Sequence, residues 1–175
     1  MGAKRIVAAR EMSLEELREM KKVLPPDTEI EAFVPGAMCM SYSGRCLLSN
    51  FMVGRDANRG SCTHPCRWKY SLVEEKRPGE YYPVEEDNRG SYIMNSRDLC
   101  MLDKLPDLID AGISSLKIEG RMKSPFYVAT VVSAYRAALD EYLEDPDNYK
   151  FQEKWYKELC KASHREFYHG FYYSK

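Results

Sequence analysis

Apolar and polar positions recur along this chain with two periods, and the change from one to the other marks its elements. Arg5–Ala9 is a short apolar run of the kind a buried strand shows. Leu14, Leu17, Met20 or Lys21, and Leu24 then recur at helical spacing. Glu16 stands three residues after Ser13, as in a capping box, and Pro25-Pro26 end the helix. Ile30–Val34 reads as a second strand. Lys69–Val73, Tyr81–Glu86 and Ser91–Met94 read as an antiparallel meander, with turns at Arg77-Pro78-Gly79-Glu80 and Asp87-Asn88-Arg89-Gly90.

Helical pieces are predicted at Ser96–Leu102 and Leu105–Ala111, the second ended by Gly112, and Leu116–Glu119 is a third core strand. Ser124-Pro125 opens a long helix whose apolar stripe is Val128, Val131/Val132, Tyr135, Leu139 and Tyr142. A last helix covers Phe151 to Ala162, followed by an aromatic, basic tail. Strand–helix–strand, an insert, then helix–strand–helix implies parallel strands with helical crossovers, an α/β class. A (β/α)8 barrel takes about 250 residues, so 175 residues supply only part of one. The expectation is one domain over 1–175 with an insertion at about 36–95. Three such strands leave exposed edges, so the chain is expected to be cut from a larger barrel protein or to pair with a second copy of itself.

Two strands carry charge on one face. In Ile30–Val34, Ile30, Ala32 and Val34 share a side and Glu31 shares the other with Phe33. In Leu116–Glu119, Lys117 and Glu119 oppose Leu116 and Ile118. With helices on the aliphatic side, Glu31, Lys117 and Glu119 point the other way. Charges near the C-terminal ends of barrel strands belong to sites, whereas the plain alternative is a structural Lys–Glu pair.

Composition narrows the rest. The longest apolar runs, such as Ile6–Ala9, are too short to cross a bilayer. The N-terminus has no signal-type stretch, so the reading is cytoplasmic. A net charge of −1 leaves any contact with nucleic acid to a local patch. Arg45, Arg55, Arg59 and Arg67 offer one, beside Trp68, Tyr70, Tyr81 and Tyr82, which suit stacking on unpaired bases. Six cysteines in such a chain point to metal or redox chemistry before disulfides. Cys39-x6-Cys46-x15-Cys62-x3-Cys66 lies in a Gly- and Asn-rich loop, with Cys100 as a fifth candidate. Iron–sulfur or zinc ligation, two disulfides and buried unligated thiols all remain open on spacing alone, and Cys160 reads as structural. His64, His164 and His169 have no catalytic spacing, and neither a His-Glu-x-x-His nor a Gly-x-Ser-x-Gly motif occurs.

The stretch Glu31-Ala-Phe-Val-Pro-Gly36-Ala-Met-Cys39-x-Ser-Tyr-Ser-Gly44-Arg-Cys46-Leu-Leu-Ser49 closely resembles the signature of the collagenase-like peptidases of unknown catalytic type. The resemblance continues through Asn58-Arg59-Gly60, Cys62-x3-Cys66-Arg67-Trp68, Ile93-Met-Asn-Ser-Arg-Asp98-Leu, Lys117-Ile-Glu-Gly-Arg121-Met-Lys-Ser124 and Ser163-His164-Arg165. It is strongest with the prephenate-dependent branch that hydroxylates the wobble uridine of tRNA, whose relatives act on ribosomal RNA or in ubiquinone synthesis. It implies the C-terminal half of a TIM-type barrel. It also implies a [4Fe–4S] cluster on Cys39, Cys46, Cys62 and Cys66, with Cys100 as the alternative fourth ligand. Glu31, Lys117, Glu119 and Arg121 become catalytic candidates, and Arg59, Arg67 and Lys123 candidates for binding prephenate, a dicarboxylate. The family label alone implies a peptidase acting on peptides instead, and a non-catalytic module that binds RNA or another partner is the third possibility.

Overall fold

The structure is a computed structural model that describes residues 2–39, 41–68, 70–83, 97–121 and 123–174. In chain order its elements are β1 (Arg5–Val7), α1 (Leu14–Val23), β2 (Glu29–Phe33) and β3 (Pro35–Ala37). Then come α2 (Leu48–Val53), β4 (Ser71–Leu72) and β5 (Tyr82–Pro83). The chain closes with β6 (Asp98–Cys100), α3 (Leu105–Asp110), β7 (Ser115–Lys117), α4 (Pro125–Glu144), α5 (Glu153–Leu159) and β8 (Phe167–Tyr168). It divides into two compact units, residues 1–38 with 97–175, and residues 39–96.

The first unit is built on a parallel sheet in the order β1-β2-β7, with Arg5 opposite Glu29 and Glu31 opposite Ser115. This is a mixed α/β architecture of small sheets, and among the described residues the strands do not close into a barrel. The capping box forms as its spacing predicts: Glu16 N–H donates to the Ser13 hydroxyl at 3.3 Å, and Ser13 N–H to the Glu16 carboxylate at 2.8 Å. Ile30, Ala32 and Val34 are fully buried, in one core with Leu14 and Leu17 of α1 and Leu105 and Leu108 of α3. The alternation read along β2 is therefore the alternation of core and open face.

Two elements depart from expectation. The described part of the expected helix Ser96–Leu102 is not α-helical: Asp98–Cys100 is a strand, antiparallel to β3 and parallel to β8, followed by a 3-10 turn at Leu102–Lys104. Pairing on both sides overrides a weak local pattern. The partner on one side is the aromatic tail, held also by Tyr172, whose hydroxyl donates to the Phe33 carbonyl at 2.6 Å. On α4 the buried stripe is Tyr127, Val131, Ala134, Tyr135 and Ala138, while Val128 and Val132 are exposed. In residues 39–96, β4 and β5 pair antiparallel, whereas the expected strand Ser91–Met94 lies outside the described residues.

The chain changes sheets at Val34. Its N–H donates to the Lys117 carbonyl at 3.0 Å, within the parallel sheet. Its carbonyl receives both the Met101 N–H and the buried Tyr135 hydroxyl, each at 3.0 Å. Next to it Gly36 has φ +132°, and a Cβ there would lie 2.8 Å from Glu119 Cβ. Only glycine meets both demands.

Replacing Tyr135 by Phe keeps the ring and removes the hydroxyl. It is expected to cost about 1–3 kcal/mol, the usual consequence of a buried polar group losing its partner. Urea denaturation should show a lower midpoint with an unchanged slope. An unchanged midpoint would mean that the hydroxyl does not hold the crossing.

Candidate functional site

The parallel register brings polar side chains together on the face of the sheet opposite the core. The Glu31 carboxylate receives Lys117 Nζ at 2.6 Å, Ser115 Oγ at 2.9 Å and Arg5 Nη1 at 3.4 Å. Arg5 also donates to Glu29 at 2.7 Å. Phe33, in register with Lys117, lies under the Arg10 guanidinium at 3.6 Å and within 5.6 Å of Lys117 Nζ. The Glu31 side chain is only 13% exposed and that of Lys117 39%. The bond from Lys117 holds the Glu31 carboxyl below the usual carboxylate range; partial burial opposes this, and Ser115 and Arg5 add to it. Glu31 is thus an ionised acceptor near neutral pH. The sequence reading named Glu31 and Lys117 but not Ser115 or Arg5, which the register of the paired strands brings beside them.

Past β7 the chain turns over Gly36. Glu119 N–H donates to the Pro35 carbonyl at 3.3 Å, and the Glu119 carboxylate receives the Arg121 N–H at 3.1 Å. The Arg121 side chain is exposed and has no ion pair among the described residues. Lys123 is engaged internally: Nζ donates to the Ser163 carbonyl at 2.8 Å, lies 4.0 Å from Asp98 and sits 4.8 Å from the Tyr127 ring centre. Asp98 is almost wholly buried and receives the Arg165 N–H at 3.1 Å. Ser163–Arg165 is therefore a backbone clamp on Asp98 and Lys123, a role that its sequence did not disclose.

The unit of residues 39–96 carries Cys39, Cys46, Cys62 and Cys66, as well as Arg59 and Arg67. Cys66 is buried in a 3-10 turn, Pro65–Arg67, whose Pro65 carbonyl receives the Tyr70 hydroxyl at 2.6 Å. Burial pushes the Cys66 thiol up, Arg67 pulls it down, and Cys39, Cys62 and Cys46 push it up further. Those three sulfurs therefore lie within electrostatic reach of Cys66. Cys62 Sγ receives the His64 N–H at 3.3 Å, and Ser49, fully buried, receives the Thr63 N–H at 3.2 Å. Among the described residues no three His, Cys, Asp or Glu side chains converge on a single ion. A zinc site requires that convergence. An iron–sulfur cluster takes one thiolate per iron, and the four cysteines of this unit match that number. Cys100, in the other unit, is buried; burial raises its thiol to about 11, and the Tyr135 hydroxyl donates to it at 3.8 Å.

The model of peptidase family U32 matches residues 1–175. The chain belongs to this family. It is 48% identical over 165 residues to "tRNA hydroxylation protein P1" of Bacillus subtilis, covering 94% of this chain and 38% of that protein. It is 41% identical over 180 residues to "tRNA hydroxylation protein P" of Escherichia coli, covering 81% and 40%. It is also 33% identical over 176 residues to "Collagenase" of Porphyromonas gingivalis, covering 95% and 41%. The chain thus spans about two fifths of these U32 relatives. No solved structure matches it significantly.

The U32 label directs attention to any place where a nucleophile meets a base. Cys100, Asp103 and His169 do share a cavity of about 320 Å³, walled by Phe151, Tyr156, Phe167 and Tyr168. His169 Nε2 faces Asp103 Oδ1 at 3.1 Å, but no imidazole nitrogen reaches Cys100, whose sulfur instead accepts from Tyr135. A cysteine nucleophile needs a base within hydrogen-bond reach or a lowered thiol pKa, and Cys100 has neither.

The depressed Glu31 carboxyl fixes the sign of a pH effect. Its pairing contributes stability above the unfolded-state value, about 4.3, and that stability is lost as pH falls through the lower folded-state value. Glu31→Gln should therefore be less stable than the parent at neutral pH and show a shallower loss between about pH 5 and pH 2. Urea midpoints measured across that window test this. Parallel acid limbs would mean that the pairing is energetically idle.

Proposed function

We propose that this chain is part of an RNA-hydroxylating enzyme that oxidises the wobble uridine of tRNA, with prephenate as co-substrate, in the cytoplasm. The observation that carries the reading is the 48% identity to a relative named for tRNA hydroxylation, over nearly the whole chain. The geometry supports it. The sheet's open face offers the ionised Glu31 holding Lys117, and the exposed Arg121 comes a few residues after β7. A polar face on parallel strands, with Lys117 at the C-terminal end of β7, suits the lumen side of part of a TIM-type barrel.

In this reading Arg121 takes a carboxylate of prephenate through its planar fork. Lys117, oriented by Glu31, presents its remaining N–H groups to a second anionic oxygen, and Glu119 fixes the backbone before Arg121. Arg59 and Arg67 are further candidate anion-binding cations within residues 39–96, while Lys123 acts by bracing the Ser163 segment. Cys39, Cys46, Cys62 and Cys66 would hold a [4Fe–4S] cluster, which supplies one-electron chemistry when bound.

Cells lacking their own tRNA hydroxylation protein, given the gene that contains this sequence, should regain a uridine nucleoside one oxygen heavier, detected by mass spectrometry of digested tRNA. Lys117→Met should abolish it, a loss larger than its lowered thermal stability accounts for. An unmodified nucleoside in the wild-type complemented strain would overturn the reading. Anaerobically purified protein should contain about four irons and four sulfides, lost in a Cys66→Ser variant. One zinc and no sulfide would exclude the cluster.

The family description and the Porphyromonas gingivalis relative favour proteolysis as a second reading. It needs a nucleophile or an activated water beside a base and an oxyanion stabiliser, and the Cys100 cavity lacks that pairing. Long incubation with gelatin, run alongside Glu119→Gln, is expected to show no intrinsic cleavage. Cleavage that disappears in the variant would favour the peptidase.

A further inference from the structure

We infer that the segment from Cys39 to Trp68 is a docking surface for single-stranded RNA, in which exposed aromatic rings stack on unpaired bases and exposed arginines hold phosphates. The inference rests on the proposed RNA function and names where RNA is held.

Charge is the first observation. The whole chain has a net charge of −1, yet this segment has four arginines, no lysine and a single carboxylate. That carboxylate, Asp56, is turned onto its own backbone, where it accepts the Asn58 N–H at 3.0 Å. Arg45, Arg55 and Arg59 are exposed, and among the described residues none of them has an acidic partner. Several surface cations elsewhere are neutralised locally, as Lys4 is by Asp27 and Arg136 by Asp140. The positive charge of these three is left for something outside the segment, and guanidinium forks match phosphate oxygens.

The second observation is aromatic. Phe51 on α2 is 86% exposed, Tyr42 68% and Trp68 44%. An aromatic ring held so far out of the core contributes nothing to folding. Rings interleaved with cations are the equipment of single-strand binding, because every base has a face to stack and each base so held is worth about 1–3 kcal/mol. A paired duplex buries those faces, so it offers phosphates only. A second copy of this chain, whose acidic stretch 140–147 could also meet these arginines, is the rival occupant that sedimentation distinguishes.

The test is fluorescence anisotropy with labelled oligouridine and with an RNA duplex of equal length, at several salt concentrations. Phe51→Ala should weaken oligouridine binding about tenfold and leave the duplex unchanged, whereas Phe51→Trp should bind like the parent. Arg45→Gln with Arg55→Gln should lower the slope of log affinity against log salt by about one to one and a half. Arg59 is left intact because it is assigned to the co-substrate. Iron content and circular dichroism of each variant verify that the unit is still folded. Parent-like RNA affinity in Phe51→Ala and in the arginine pair would overturn the inference, even where hydroxylated uridine is still made. A change confined to sedimentation behaviour would also overturn it, in favour of self-association. RNA affinity lost in the variants, from a parent that restores no hydroxylated uridine, would uphold this surface and remove the hydroxylation reading.

Discussion

The backbone of Val34 has to serve two sheets at once, and the rest of the first unit is arranged around how it does so. Its N–H completes the β2–β7 ladder through the Lys117 carbonyl, and its carbonyl faces away, toward Met101 at the end of β6. A carbonyl that leaves one sheet in a dry interior needs a partner of comparable strength. It has two, the Met101 N–H and the Tyr135 hydroxyl. That hydroxyl has lost all contact with water, and its burial drives its ionisation far above the ordinary tyrosine range, so it remains a neutral donor. Helix α4 is thereby fixed by a polar pin as well as by its apolar stripe.

The crossing also sets the path of the chain beyond it. Once β2 ends at Phe33, Pro35 and Gly36 turn the chain into β3, and the bare Cα of Gly36 lets the Glu119 backbone pass within contact. The two peptide stretches that carry the family signature, Glu31–Ala37 and Lys117–Arg121, are therefore adjacent because of backbone constraints, before any side-chain chemistry is considered. Residues 39–96 leave from the end of β3 and return to the start of β6. An antiparallel β3–β6 pair allows such an insertion without disturbing the parallel sheet, since its ends already lie side by side.

The features legible in the sequence divide along the same line. The α1 capping box, the Ser124 cap with its Pro125 and the two faces of β2 are local features, and their spacing sufficed to find them. The strand at Asp98–Cys100 was not legible, because three residues carry no period and their conformation is imposed by β3 and β8 from sequence-distant segments. The α4 stripe was legible at Val131, Tyr135 and Leu139, but Tyr127 was missed in favour of the exposed Val128, and Ala134 and Ala138 were missed because alanines count little in an apolar pattern. Glu31 and Lys117 could be placed on one face from their alternation. Their partners Ser115 and Arg5 required the register, which only the paired strands reveal.

The Glu31–Lys117 pair admits a purely structural reading, and its hydrogen bonds weigh against it. A paired charge on a sheet face adds little stability relative to well-packed apolar residues of similar size, so stability is a weak reason for its presence. A structural pair would also be balanced, with both partners satisfied by the protein. Here the carboxylate is saturated, accepting from an ammonium, a hydroxyl and a guanidinium. The ammonium, with three donors, has one hydrogen-bond acceptor among the described residues and an aromatic face at 5.6 Å. Its side chain is also three times as exposed as that of its partner. An anchored ammonium with unfilled donors, four residues before an Arg121 that has no ion pair among the described residues, is consistent with the anion-binding role proposed for this stretch.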